Sequence, residues 1–220
     1  MGDLTLVIGN KAFSSWSLRP WLALKRTGQP FREIVIPLRQ PDTAARIAEH
    51  SPTGRVPCLR DGDRVIWDSL AICEYVAERF PDAALWPTDA HARAVARSVS
   101  AEMHSGFAAL RTHMSMDLKA FRPGVGHNAE SGADIARVFA LWRDTRARFG
   151  AGGPFLFGDF SIADAMYAPV VTRFLTYGVA MDGPCADYAQ AVMDLPAMKE
   201  WVEAAKAEPW DIYADERSPS

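Results

Sequence analysis

The stretch FSSWSLRP, residues 13–20, decides the fold because it joins a strand pattern to a helix pattern. The apolar run from Leu4 to Ile8 predicts a strand, and Ser17 to Arg26 carries apolar residues on one helical face. We start this helix at Ser17 because Pro20 fits a helix best near its first turn. Serine hydroxyls at such a junction can cap the helix, or they can stabilise an anion such as a thiolate at its positive end. Both roles stay open at this point.

The segments that follow continue to alternate strands and helices. Two strands joined through a helix predict a parallel pair, and the Asp61-Gly62-Asp63 turn predicts an antiparallel hairpin. The predicted order is β-α-β-α-β-β-α. The further strands are expected at Phe31 to Ile36, Pro57 to Arg60 and Val65 to Trp67, and the further helices at Thr43 to Glu49 and Ser69 to Arg79.

The pattern becomes purely helical after Pro87, so we predict two domains, residues 1–83 and 84–220. Later helices are expected to begin near Ser161, with a kink at Pro169, and to cover Tyr188 to Met193 and Pro196 to Ala207. Two apolar stripes precede them, and each predicts one helix. The first contains Val95, Ala96, Val99, Met103, Phe107, Leu110 and Met114, and the second contains Ile135, Val138, Phe139, Trp142 and Phe149.

Composition excludes several classes of function. The formal net charge of −3, without a run of basic residues, gives no general attraction to nucleic acid. No signal peptide and no run of about 18 apolar residues is visible, so we expect a cytoplasmic protein without membrane contact. The three cysteines are too few and too dispersed for a disulfide framework or a zinc site. No histidines are spaced four apart, so we expect no metal, and His104 is interpreted as a partly exposed helical residue.

Two further motifs could bind a peptide-like ligand. In Val56-Pro57, a cis bond would leave backbone groups of Val56 free to pair with such a ligand as an added strand. An ordinary strand start is the alternative. In Asp68-Ser69, a strand ends and a helix begins, which favours an N-cap. The same pair suits a ligand that carries both a carboxylate and an ammonium group.

A fourth motif, Ser161-Ile162-Ala163-Asp164, is a variant of the capping box with Asp in place of Glu. A capping box pairs the first unsatisfied N–H groups of a helix with side-chain oxygens. We therefore expect Ser161 and Asp164 to stabilise a buried helix and to take no part in chemistry.

In this order, the four motifs resemble those of the cytosolic glutathione transferase superfamily, with the zeta class closest. The resemblance spans roughly residues 4 to 207. It implies an α/β thioredoxin-like N-terminal domain followed by an all-α helical domain. It also implies glutathione as co-substrate, no metal, and a homodimer.

The resemblance assigns catalytic roles in the first turn. Ser14 matches the zeta-class serine that activates the thiol, five residues before Arg19. Ser15 lies four before it, the spacing of the related theta class, and is the alternative. Ser17 is expected to cap the helix. Trp16 stands where zeta proteins carry cysteine, which departs from the pattern associated with isomerisation of maleylacetoacetate.

The remaining site residues also follow from the resemblance. Val56 and Pro57 match the backbone-pairing residue and its cis-proline, and Asp68 and Ser69 match the γ-glutamyl-binding pair. These four residues form the expected glutathione site together with Ser14 and with Arg55, which precedes Val56. From helix phase we place the electrophile pocket at Phe13, Trp16, Met103 and Phe107.

The implied function is a glutathione S-transferase that activates the thiol of glutathione for attack on a hydrophobic electrophile. Conjugation, peroxide reduction and isomerisation all stay open. The alternative is a non-catalytic member of the fold that binds ligands or proteins. The complete serine turn and Asp68-Ser69 favour the enzyme. A disulfide oxidoreductase is disfavoured because no cysteine precedes Cys58.

Overall fold

The computed structural model describes residues 4–213. The first part contains a four-stranded mixed sheet in the order β2-β1-β3-β4. Strand β1 is parallel to β2 and antiparallel to β3, and β3 and β4 form a hairpin. The predicted parallel pair and hairpin are confirmed, as expected for a thioredoxin-like domain. The strands are β1 Leu4–Ile8, β2 Arg32–Val35, β3 Cys58–Asp61 and β4 Arg64–Trp67.

The two faces of the sheet bury different side chains because successive residues of a strand point to opposite sides. Leu6 and Ile8 face the main core, while Val7 lies in a smaller cluster on the other face. The main core is shared with α1 and α3, and Ile47 of α2 lies in the smaller cluster. The helices of this part are α1 Ser15–Thr27, α2 Thr43–Ala48 and α3 Ser69–Arg79, followed by a 3-10 turn at Pro81–Ala83.

The start of α1 differs from the prediction. The Ser14 carbonyl accepts hydrogen bonds from the N–H groups of Ser17 and Leu18, at 3.1 and 3.2 Å, so the helix begins at Ser15. Pro20 therefore lies beyond the first turn, and the helix continues through it. Because α1 starts earlier, both Ser15 and Trp16 belong to its first turn.

The second part is helical, and its central element is α7, which is buried along nearly its whole length. This helix packs against both α1 and α4, so it connects the helical part to the serine turn. Within residues 4–213, no helix combines the length and the apolar composition that a membrane span requires. The helices are α4 Ala90–Ser105, α5 Ala108–His113, α6 Ala129–Phe149, α7 Ile162–Tyr177, α8 Gly183–Asp194 and α9 Pro196–Ala207.

The first apolar stripe does not form one helix, and this prediction was wrong. Gly106 is extended and Phe107 has a left-handed backbone with φ of 55°, so the chain breaks between α4 and α5. The N–H of Leu110, near the new helix start, donates to the Asp134 carboxylate at 2.9 Å. The apolar spacing persists across the break because both short helices pack into the same core.

The capping box of α7 is confirmed. The Asp164 carboxylate accepts a hydrogen bond from the Ser161 N–H at 2.8 Å, and its other oxygen accepts one from the Leu156 N–H at 3.0 Å. Asp164 is fully buried, and burial raises the pKa of its carboxyl to about 6. The box thus connects the loop before α7 to the start of the helix. The predicted kink at Pro169 and the domain boundary after residue 83 stay predictions.

Candidate functional site

A cleft of about 430 Å³ brings together three segments that are far apart in sequence. The first is the start of α1, the second precedes β3, and the third joins β4 to α3. Each segment lies where a regular element begins or ends, so backbone groups are available beside the side chains. The cleft is lined by Trp16, Thr53, Arg55, Val56, Pro57, Trp67, Asp68 and Ser69.

The Val56–Pro57 peptide bond is cis, as predicted. The pairing of β1 with β3 ends at Val7 and Cys58, so Val56 lies just beyond the ladder, at the cleft wall. Its position at a sheet end suits pairing with an extended ligand backbone. Arg55 is exposed at the rim.

The start of α3 presents a carboxylate and a hydroxyl to the same cleft. Asp68 caps the helix, because its Oδ1 accepts a hydrogen bond from the Leu70 N–H at 2.9 Å. Its backbone φ of 68° is unusual for a residue other than glycine. Ser69 is 1% exposed, and its hydroxyl has no hydrogen-bond partner within residues 4–213. A buried hydroxyl without a partner at a helix N-terminus suits an anionic ligand group.

In the serine turn, Ser14 and Ser17 contact each other directly. Their hydroxyl oxygens are 2.7 Å apart, and the Ser17 oxygen also accepts a hydrogen bond from the Gly9 N–H at 3.1 Å. Ser17 therefore holds the end of β1 and does not cap α1, contrary to the prediction. Ser14 and Ser15 are buried and are not among the residues lining the cleft, which the neighbouring Trp16 does line.

Ser15 contacts an arginine from the helical part. Arg173 of α7 donates a hydrogen bond to the Ser15 hydroxyl oxygen at 3.2 Å and a second to the Met114 carbonyl at 2.8 Å. Burial, followed by the charge of nearby Arg111, lowers the pKa of Arg173 to about 10. Because the Ser15 oxygen accepts this hydrogen bond from Arg173, the Ser15 hydroxyl proton remains available for another acceptor.

A second buried arginine lies behind Trp16. The guanidinium of Arg19 stacks on the Trp16 ring, 4.2 Å from its centroid, and Arg111 lies 5.4 Å from the same ring. The Arg19 side chain is fully buried, and none of its guanidinium nitrogens has a hydrogen-bond partner within the described residues. Burial, followed by the charge of Arg173, lowers the pKa of Arg19 to about 9. This region of the site is cationic: no side chain of residues 4–213 hydrogen-bonds the Arg19 guanidinium, although the charge of Asp68 partly offsets the fall in its pKa.

Of the residues predicted to line the electrophile pocket, only Trp16 lines this cleft. Met103 and Phe107 are buried in the main core. Phe13 lies in a separate small cluster, where its ring contacts Tyr213 with centroids 5.4 Å apart. Helix phase identified apolar positions correctly but could not separate core from cleft.

Residues 4–213 contain neither a thiol with a lowered pKa nor a cluster of metal-ligating side chains. Cys58, Cys73 and Cys185 are free and buried, and burial raises the pKa of each thiol. A thiol with a raised pKa is a poor nucleophile at neutral pH. No cluster of His, Cys, Asp or Glu in the described residues could hold a metal ion.

Sequence reasoning missed two residues near the site, Arg111 and Arg173, and the contact that His104 makes. The Nε2 atom of His104 lies 3.2 Å from the Asp68 Oδ2 atom, so a helical residue reaches the third motif. All three side chains come from helices of the second part. Their positions at the site depend on how those helices pack against the first part, which local sequence patterns do not reveal. Only the position of His104 near the long stripe gave any signal.

Comparison with known proteins agrees with the fold. Family models match both parts of the chain: the glutathione S-transferase N-terminal domain over residues 13–79 and the C-terminal domain over residues 126–204. A zeta-class glutathione S-transferase of Euphorbia esula is 27% identical over 171 residues, which cover 73% of this chain and 74% of that protein. A probable maleylacetoacetate isomerase of Caenorhabditis elegans is 28% identical over 163 residues, 70% of this chain and 73% of the relative.

The fold is also that of solved structures. A glutathione transferase homologue from Burkholderia, crystallised with bound glutathione, aligns with a TM-score of 0.73 at 23% identity. The alignment covers 94% of this chain and 100% of the other. With both domain models matched in order and zeta-class proteins among its relatives, the chain belongs to the glutathione transferase superfamily of enzymes.

Proposed function

We propose that this protein binds glutathione in the cleft and activates its thiol for attack on an electrophile. The observation that carries the proposal is the convergence of three ligand-ready features: the cis Val56–Pro57 bond, Asp68, and the unpartnered hydroxyl of buried Ser69. Glutathione is a γ-glutamyl peptide, and its parts match these features one by one.

The γ-glutamyl end would lie at the start of α3. Its carboxylate would accept hydrogen bonds from the Ser69 hydroxyl and the helix N-terminus, and its ammonium would pair with Asp68. The cysteinyl backbone would pair with Val56 as an added strand. Arg55 at the rim would meet a further carboxylate. This orientation directs the thiol toward the N-terminus of α1.

Thiol activation would use the serine turn. An ordinary thiol has a pKa of about 8.5, and lowering it by roughly two units requires about 2.7 kcal/mol of stabilisation of the thiolate. The Ser17 oxygen accepts from Gly9, so its proton can be donated to Ser14, which leaves the Ser14 proton for a thiolate. This arrangement supports Ser14 as the activating residue, with Ser15 as the alternative.

The electrophile would approach beside Trp16. An aromatic wall suits the hydrophobic acceptor expected from sequence, by conjugation or peroxide reduction. A second candidate, isomerisation of an acid such as maleylacetoacetate, is favoured by the cationic region around Arg19 and Arg111. Trp16 in the cysteine position counts against it. The non-catalytic alternative predicts glutathione binding without turnover.

The test combines binding with a substrate screen. Calorimetry is expected to detect glutathione binding, and a glutathione-coupled screen of aryl halides, organic peroxides and maleylacetoacetate is expected to show turnover of at least one class. No binding at millimolar glutathione refutes the proposal. Binding without turnover of any acceptor favours the non-catalytic alternative.

A cytoplasmic location and a homodimer complete the proposal. In the dimer, the N-terminal domain of one subunit would contact the helical domain of the other. Light scattering at micromolar concentration is expected to give twice the 24.2 kDa chain mass. A monomer under these conditions contradicts the assembly but not the site, which this chain forms by itself.

A further inference from the structure

The contact between His104 and Asp68 links the two parts of the protein at the proposed glutathione site. His104 lies on α4, and its Nε2 atom is 3.2 Å from the Asp68 Oδ2 atom. The imidazole is held from one side by the Trp16 ring, edge to face, with centroids 5.3 Å apart. Arg111 donates to the His104 backbone carbonyl at 3.2 Å. Both Trp16 and Asp68 line the cleft, so this histidine lies immediately behind its wall.

The Asp68 carboxylate contacts one group from each part of the chain. Its Oδ1 accepts from the Leu70 N–H of α3, while its Oδ2 faces His104 of α4. The left-handed backbone of Asp68 fits a residue whose conformation is imposed by its surroundings. Removing the histidine contact would leave only the capping bond to orient the carboxylate.

We propose that His104 is a positioning residue for Asp68 and that its protonation state sets the affinity for the γ-glutamyl ammonium. This inference rests on the proposed function. A neutral imidazole with its proton on Nε2 places a polar N–H beside the Asp68 carboxylate and leaves the full negative charge for the ligand. A protonated imidazole forms an ion pair with Asp68, and the ammonium then meets a carboxylate whose charge is already balanced.

The charged groups around His104 define the direction of the effect. Asp68 faces it from the start of α3, and Arg111 from α5. Arg19 of α1 stacks on the Trp16 ring, which also contacts His104. Asp68 is the anion among these groups, so an imidazolium here has one partner, which is also the proposed partner of the ligand. Affinity for glutathione is therefore expected to fall as pH decreases and the imidazole gains a proton.

The probe is S-methylglutathione, because its sulfur carries no proton and thiol titration cannot contribute. Calorimetry on the full chain at about pH 7.5 and about pH 5.5 is expected to show about fivefold weaker binding by wild type at the lower pH, the size of one partly screened charge interaction. His104→Gln keeps an N–H donor near the Nε2 position but cannot gain a proton. Its affinity for S-methylglutathione is expected to change less than twofold between the two pH values. His104→Leu removes the donor and is expected to bind about fivefold more weakly at about pH 7.5.

His91→Gln is the matched control, because His91 lies on the same helix but contacts the Phe149 ring away from the cleft. It is expected to keep the pH dependence of wild type. If His104→Gln keeps that dependence as well, or if His104→Leu binds like wild type at about pH 7.5, the inference is overturned. If wild type does not bind millimolar S-methylglutathione at either pH, the proposed function fails and this inference falls with it.

Discussion

The helices α1 and α7 both follow a serine, but the two N-termini are completed in opposite ways. At α7, the Asp164 carboxylate lies in the first turn and accepts hydrogen bonds from the Ser161 N–H and the Leu156 N–H, so this end carries an acidic group of its own chain. At α1, the Ser14 side chain caps no N–H of the helix in the described structure and contacts the Ser17 hydroxyl instead. One helix end is closed, while the other retains its positive character for a ligand.

This difference separates a structural serine from a functional one. Helix N-termini carry unpaired N–H groups and favour nearby negative charge. Where a buried carboxylate of the same chain supplies that charge, as Asp164 does, a ligand anion is not needed. Where no acidic residue lies in the first turn, as in α1, an external thiolate can supply it. We therefore expect stability to depend on the closed end, at α7, and thiol chemistry to depend on the open end, at α1.

The largest effect is expected at the closed end. Asp164→Ala leaves the N–H groups of Ser161 and Leu156 without their acceptor in a buried environment, and it is expected to lower the free energy of unfolding by about 2–4 kcal/mol. Urea denaturation measures this change. Asp144→Ala, which removes an exposed partner of Arg148, is the control and is expected to change stability by no more than about 0.5 kcal/mol. Equal effects of the two substitutions would contradict a structural role specific to Asp164.

The same variant carries a pH signature. Burial raises the pKa of Asp164 to about 6 in the folded protein, above the value of about 4 for an unfolded chain. The folded state therefore binds more protons between these values, and the contribution of this group to stability falls as pH rises through about 6. The destabilisation by Asp164→Ala is expected to be smaller at about pH 8 than at about pH 5.

An intermediate effect is expected at the start of α3, where Asp68 both caps a helix and faces the cleft. Asp68→Asn keeps an acceptor for the Leu70 N–H but removes the charge, and it is expected to weaken glutathione binding by about 1.5–3 kcal/mol, the size of a charge-assisted hydrogen bond. Calorimetry measures the loss. Asp89→Asn is the matched control, because Asp89 caps α4 in the same way outside this cleft. Unchanged affinity of Asp68→Asn would remove Asp68 from the site.

Local signals in the sequence sufficed for the sheet and for the capping box. The Leu4–Ile8 strand has the predicted bounds, and Asp61-Gly62-Asp63 forms the predicted hairpin because turn chemistry depends on adjacent residues. The break after α4 was missed because the apolar spacing continues through Phe107. Gly106 was the one local indication of that break, and a single glycine inside an apolar stripe is weak evidence against a helix.

The surroundings of the serine turn could not be predicted for a different reason. Arg173 is 158 residues from Ser15 in sequence, and their contact depends on how α7 packs against α1. The contact of His104 with Asp68 likewise depends on the register of α4 against the start of α3. Motif reading locates the ligand-facing residues of the first part, while the residues that hold and polarise them come from the second part.

The smallest effect, and the one that bears most directly on the open helix end, concerns which serine activates the thiol. Ser14→Ala is expected to raise the pKa of bound glutathione by one unit or more, about 1.4 kcal/mol, because Ser17 can donate to Ser14 and leave the Ser14 proton for the thiolate. The thiolate absorbance of bound glutathione, followed against pH, measures this shift.

The same titration of Ser15→Ala and Ser17→Ala separates the three hydroxyls, with Ser161→Ala at the closed end as control. Ser161→Ala is expected to leave the thiol titration unchanged, since its hydroxyl serves Asp164. If Ser15→Ala alone moves the curve, the theta-like register is correct, and the Arg173 contact with the Ser15 oxygen gives the reason. If none of the three first-turn variants moves it, the N–H groups of α1 stabilise the thiolate without a hydroxyl. The open helix end would then be sufficient by itself.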